Sequence, residues 1–178
     1  MGEEDAPKYD DETGVPLNDA ARRVVEAATR HPSAPAADGA SAPSSLDGVP
    51  EVVIAEGKWK YVQIRLYPLD AEDGEYHKRV VRNASGLSYH ADMYSDAMYK
   101  LESEGVRVSG KVVGGGRIVL DSKAKRVSVY GYSKTFGHNP SKRDADGRTV
   151  FKGCNETTAE IIRRNYPGFT VDWSDEGY

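Results

Sequence analysis

Lys58-Trp59-Lys60-Tyr61-Val62-Gln63-Ile64-Arg65-Leu66-Tyr67 alternates with period two, which places Lys60, Val62, Ile64 and Leu66 on one face of a strand. The segments on either side continue in the same style. Upstream, Pro50 to Ile54 is a short apolar run. Downstream, turn-forming Asp70 to Gly74 leads into a second alternating stretch, Tyr76 to Arg82. Between Tyr89 and Glu104 the period changes: Met93, Ala97, Met98 and Leu101 recur at helical spacing, and Gly105 ends the helix. Val106–Val113, Ile118–Leu120 and Arg126–Tyr132 read as strands again, with Asp121 to Lys125 as a polar turn. After a long polar loop, Gly137 to Gly153, a second helix is expected over Thr157–Asn165, stopped by Tyr166-Pro167. Phe169, Val171 and Trp173 then alternate as a last strand. The pattern predicts an α+β (mixed α/β) domain, a mixed β-sheet of about six strands flanked by two helices.

The first 48 residues differ in character. Asn18 can cap a short helix carrying Ala21, Val24, Val25 and Ala28 as a weak apolar stripe. His31 to Asp47 is rich in Pro, Ala, Ser and Gly and has almost no large side chain to bury. Residues 1–48 are therefore read as a mostly disordered extension with a transient helix, and 49–178 as the folded domain.

Whole-chain numbers narrow the function classes. The chain has 178 residues, 38% hydrophobic and 29% charged, with a net charge of −4. That charge leaves no general basic footprint for nucleic acid or a membrane surface. No apolar run approaches the ~20 residues a membrane span requires. The acidic start, Met1 to Asp11, lacks the apolar stretch of a secretory signal. The single cysteine, Cys154, suits a reducing compartment, so a cytoplasmic address is expected and the sequons at Asn83 and Asn155 are read as chance matches.

Familiar phosphate-handling and metal signatures fail on inspection. A cysteine phosphatase places an arginine six residues after its nucleophile, and Glu160 stands there after Cys154. Asp144-Ala145-Asp146-Gly147-Arg148 ends wrongly for an aspartyl-phosphate motif and lacks the remaining EF-hand ligands. His31, His77, His90 and His138 have no zinc-ligand spacing, so no metal and no cofactor are expected. Gly114-Gly115-Gly116 is not followed by a helix pattern, which excludes a P-loop or dinucleotide fingerprint and leaves a tight turn between strands.

Five blocks in order do carry a resemblance. They are Lys60-Tyr61-Val62-Gln63-Ile64-Arg65, Tyr89-His90-Ala91-Asp92-Met93-Tyr94, Gly114-Gly115-Gly116-Arg117-Ile118, Val129-Tyr130-Gly131-Tyr132-Ser133 and the terminal Tyr166-Pro167, Trp173 and Gly177-Tyr178. Together they resemble the phosphohistidine phosphatases, or Janus family, over roughly residues 50–178. The resemblance implies a mixed sheet with two flanking helices, His90 as the catalytic residue, and phosphate binding by Lys60, Arg82, Arg117 and backbone amides near Ser133 and Thr135. It implies phosphohistidine-containing proteins as substrates and metal-free hydrolysis by a monomer.

These residue types suit that chemistry. The phosphoryl group on an imidazole nitrogen is an anion with an already labile P–N bond, so the main tasks are to gather charge and supply an aligned nucleophile. Cationic side chains and turn amides perform the first. His90, at a helix start, performs the second, either as general base to water or as the nucleophile itself. Two departures from the family pattern stand out: the 1–48 extension and the polar insert from about His138 to Gly153, read as a flap over the substrate, a partner contact or an inert surface loop. Two other functions remain open at this point: a non-catalytic phosphate-recognising module, and a broader phosphoramidase acting on phospholysine.

Overall fold

The computed structural model describes residues 6–11, 14–29, 46–69 and 76–177. Along the chain run α1 (Asp19–Thr29), β1 (Val52–Val53), β2 (Gly57–Pro68), β3 (Lys78–Arg82), α2 (His90–Ser103), β4 (Val108–Asp121), β5 (Arg126–Tyr130), β6 (Lys142–Arg143), β7 (Thr149–Phe151), α3 (Cys154–Asn165) and β8 (Thr170–Trp173). The alternating stretch around Val62 is the long strand β2, paired along its whole length with β4. The sheet has six strands in the order β1-β3-β2-β4-β5-β8. It is mixed, because β1 with β3 and β5 with β8 are parallel while the pairs between them are antiparallel.

Period-two alternation in β2 divides the interior into two cores. Val62, Ile64 and Leu66 meet Met93, Ala97 and Leu101 of α2 on one face. Tyr61 on the other face joins Ala159, Ile161 and Ile162 of α3, with Val81, Val127 and Val129. The two expected helices therefore cover opposite faces of the sheet, each by its apolar stripe.

Three elements differ from the sequence reading. First, the strand expected to break at the triple glycine runs unbroken through it as β4, with a register shift opposite Gln63 and Ile64. Second, the polar insert contains a small antiparallel ribbon, β6 with β7, whose residues are all exposed. Third, part of the extension read as disordered is packed. The Asn18 side-chain oxygen accepts from the amide of Ala21 at 2.9 Å, the N-cap bond that starts α1. Ala21 and Ala28 are fully buried, Ala28 in the α2 core and Ala21 against Tyr9 and Ala91. Small side chains let α1 approach closely, and Tyr9 supplies the aromatic area that the rest of the extension lacks. Leu46 is also fully buried, and its carbonyl accepts from Lys78 Nζ at 3.1 Å. Residues 30–45, most of the Pro/Ala/Ser/Gly stretch, lie outside the described residues. No described helix is long and apolar enough to cross a membrane.

Candidate active site

Both helix starts converge on the triple glycine. On one face the His90 ring lies against Gly115: a Cβ there would sit 2.8 Å from His90 Cδ2 and 2.5 Å from the Tyr61 carbonyl oxygen. On the other face Cys154 and Asn155, the first residues of α3, approach Gly114 and Gly116 in the same way. The glycines are thus a thin section of sheet, where side chains from both layers rest on bare backbone. That tertiary fact, and not a turn, is the reason for the run.

His90 is the first residue of α2 and is 6% exposed. Its Nε2 lies 3.0 Å from the Gly116 carbonyl oxygen. A carbonyl can only accept, so Nε2 carries the hydrogen and donates it. Nδ1 is then the nitrogen with the free lone pair. Burial pushes the pKa of His90 down to about 4, the bond to Gly116 opposes this, and the charges of Lys60 and Arg117 lower it further. The ring is consequently neutral at pH 7, as a base or nucleophile requires.

Lys60 and Arg117 come together through strand register, as directly opposed partners across β2 and β4. Two like charges in that position repel each other, which a bound anion would relieve. Lys60 is held below its ordinary pKa by burial first, then by Arg117 and by Lys134. Its Nζ also lies 5.6 Å from the centroid of the Tyr89 ring.

Ser133 and Thr135 lie in a turn closed by a bridge between Ser133 and Gly137. Ser133 is fully buried, and its Oγ accepts from the Phe136 amide at 3.1 Å. The charge of Lys134 acts on Lys60, and Phe136 packs with Ala91, so this turn stands beside the start of α2. Asn155 fixes the chain just before it. Its Nδ2 donates to the carbonyls of Gly131 at 2.7 Å and Ser174 at 2.9 Å, and its Oδ1 accepts from Tyr61 Oη at 2.6 Å. Asn155 and Tyr61 are thus positioning residues that the sequence reading did not single out. Both sequon asparagines are buried, Asn83 7% exposed and Asn155 3%.

Arg82 does not join this group. Its guanidinium donates to the carbonyls of Pro50 at 2.6 Å, Val81 at 3.0 Å and Glu51 at 3.3 Å. It is 6% exposed, and burial pushes its pKa down to about 10. It borders a cavity of about 90 Å³ beside the middle and end of α2, with Met93, Asp96 and Glu104. Replacing it with methionine, which keeps the aliphatic bulk, should cost about 2–3 kcal/mol by orphaning those carbonyls. Urea unfolding checks the loss, and KM for a phosphorylated substrate should stay within about twofold of wild type. An unchanged midpoint with a raised KM would restore Arg82 to phosphate binding.

The extension reaches the site as well. Tyr9 packs its ring 5.2 Å from that of Tyr89, whose hydroxyl donates to Asp11. Thr135 Oγ1 donates to the Gly14 carbonyl at 2.8 Å, and Tyr9 bridges to Pro16, so this described part of the extension abuts the Ser133–Gly137 turn. Nothing in the sequence signals this contact, since residues 9 and 14 are far from 89 and 135 along the chain. Among the described residues, no three His, Cys, Asp or Glu side chains gather as a metal-binding group.

A six-stranded mixed sheet with helices on both faces, His90 at the start of α2 and Lys60 opposite Arg117, defines an α+β domain. The chain matches the Janus/Ocnus family (Ocnus) over residues 46–170, and it belongs to that family. It is 32% identical to the 14 kDa phosphohistidine phosphatase of Sus scrofa over 142 residues, covering 78% of this chain and 99% of the relative. It is 31% identical to the human protein of the same name over 133 residues, covering 73% and 94%. It is 33% identical to the sex-regulated protein janus-A of Drosophila melanogaster over 135 residues, covering 75% and 85%.

Proposed function

We propose that this chain is a protein phosphohistidine phosphatase that hydrolyses the P–N bond without a metal or cofactor, with His90 as its base. The observation that carries the reading is the buried His90 ring, its Nε2–H committed to the Gly116 carbonyl and its charge state under the influence of Lys60 and Arg117, which strand register sets opposite each other. Lys60 and Arg117 hold the phosphoryl oxygens, and amides of the Ser133–Thr135 turn complete the cradle. Nδ1 takes a proton from water as its oxygen bonds to phosphorus. The P–N bond breaks, and the leaving imidazole nitrogen ends protonated as His90 gives its proton back. Direct attack by Nδ1 on phosphorus, with water clearing the phospho-enzyme, is the alternative route through the same residue. The names of the pig and human relatives support phosphohistidine proteins as substrates. A cytoplasmic address accords with the single buried cysteine.

The test follows phosphate release from a phosphohistidine-bearing protein, with and without EDTA. Release unaffected by chelation is expected. Lys60→Gln should lower kcat/KM about 10- to 100-fold, the scale of one charge-assisted contact. Binding of the phosphoprotein without release would make the chain a recognition module, and release abolished by EDTA would refute the metal-free route. Rates on a phospholysine peptide within tenfold of those on phosphohistidine would widen the activity to phosphoramidates generally.

A further inference from the structure

The α3 face of the sheet carries a second cationic feature that the proposed reaction does not use. Arg65 in β2 is directly opposite Arg79 in β3 on one side and Lys111 in β4 on the other. Three cations therefore stand in a row across three adjacent strands. With strands about 4.8 Å apart, the row extends over about 10 Å. Like charges directly opposite one another destabilise a sheet unless something neutralises them. Among the described residues, no carboxylate forms an ion pair with any of the three.

The row opens into a cavity of about 340 Å³, bordered also by Lys152, Gln63 and Thr157. Its lining holds four cationic side chains and no carboxylate, in a chain whose net charge is −4. Among the described residues, Lys152 alone of the four forms an ion pair, with Glu160 outside the lining. The neighbouring cavity, of about 490 Å³, is lined in contrast by both signs, including Glu51 and Glu160. Inside the basic cavity the donors are only partly engaged. Arg79 reaches the Gln63 side-chain oxygen at 3.2 Å, and Arg65 reaches only the Tyr67 hydroxyl, at 3.5 Å. The Arg65 Nε is buried with no hydrogen-bond partner. The Lys111 side chain takes part in none of the described side-chain hydrogen bonds or ion pairs.

We propose that the Arg65–Arg79–Lys111 row is a second anion site, on the face of the sheet opposite His90, that takes a small multiply charged phosphate chain of the di- or triphosphate class. The arginine forks match phosphate oxygens, and the number of cations matches the charge of such a chain. Its length fits the row, and the cavity lies in the range of small-ligand sites. The site is independent of the phosphatase reading: it uses none of its residues and stands whether or not phosphohistidine is the substrate.

Tripolyphosphate titrated into the full-length, ¹⁵N-labelled protein tests it. The buried Gln63 carboxamide, which donates to Thr158 Oγ1 at 2.8 Å, is a resolved reporter of this cavity. Its NH₂ signals and the Lys111 amide should shift, and the affinity should fall at least tenfold in Lys111→Gln and steeply with salt. Lys111→Gln should leave phosphate release at the His90 site unaltered. Shifts confined to residues around His90, or an equal affinity in Lys111→Gln, would overturn the proposal. So would shifts at Gln63 that arise only after Asp70, Glu72, Asp73 and Glu75 are neutralised, because the row would then belong to this chain's own acids.

Discussion

His90→Ala is expected to lower the rate of phosphate release from a phosphohistidine protein by about 10²–10⁴-fold, the usual contribution of a general base. Single-turnover release, corrected for spontaneous hydrolysis, measures it. Folding should survive, because the loss is one hydrogen bond to Gly116 and one ring resting on the Gly115 backbone. The pH dependence gives a sharper signature. Burial and the charges of Lys60 and Arg117 hold the folded pKa at about 4, against 6.5 for an ordinary histidine. The free enzyme's acid limb in kcat/KM should accordingly lie well below pH 6.5, with activity flat from pH 8 to about pH 5.5. A limb centred at 6.5 would mean that His90 is solvated and uncharged neighbours surround it. The same shift links to stability. Between the two values the unfolded chain binds more protons than the fold, so stability is complete above pH 6.5 and falls as the pH drops toward 4. The drop from this residue should reach about 3 kcal/mol, and it should be absent from His90→Ala, which separates it from carboxylate effects at the same pH.

Some of this was legible in the sequence for reasons that can be stated. The β2 alternation is a local signal, and its register against β4 made Lys60 and Arg117 neighbours, although register itself is invisible until the sheet is assembled. The helical spacing of Met93, Ala97 and Leu101 likewise placed His90 at a helix start. The triple glycine misled, because glycine inside a strand has the same local signature as glycine in a turn. Only the approach of His90 from one side and Cys154 from the other distinguishes them. Arg82 misled differently. A sequence resemblance supplies a residue's position but not the direction of a long side chain, and here three carbonyls of the β1–β3 edge hold the guanidinium. The β6–β7 ribbon is short and wholly exposed, so it leaves no apolar pattern to read. The docking of Tyr9 and Gly14 depends on contacts with Tyr89 and Thr135, far along the chain, and so leaves no local pattern to read.

The thin section of sheet under His90 leads to the second large effect, Gly115→Ala. The added methyl would lie 2.5 Å from the Tyr61 carbonyl oxygen and 2.8 Å from His90 Cδ2, both inside contact distance. Tyr61 is fully buried in the centre of β2, with Oη bonded to Asn155 at 2.6 Å, so its backbone has little freedom to retreat. His90 must then move, β2 must part from β4, or both. Overpacking of this kind costs about 1–3 kcal/mol. Displacing the base by about 1 Å costs on the order of 10²-fold in rate. Gly110→Ala, in the same strand, is the matched control. A methyl there would meet Met98 Sδ at 2.8 Å and Ile64 Cγ2 at 3.0 Å, and the Met98 thioether can swing aside. It should lose less than about 1 kcal/mol and keep full activity. Urea midpoints and kcat/KM for both variants decide the matter. If Gly115→Ala matched Gly110→Ala in both, His90 would not be seated on the β4 backbone, and the triple glycine would need another cause. If it lost activity far beyond its loss of stability, the glycine would be acting through the position of the base: a residue without a side chain, placed to let one side chain come close enough to work.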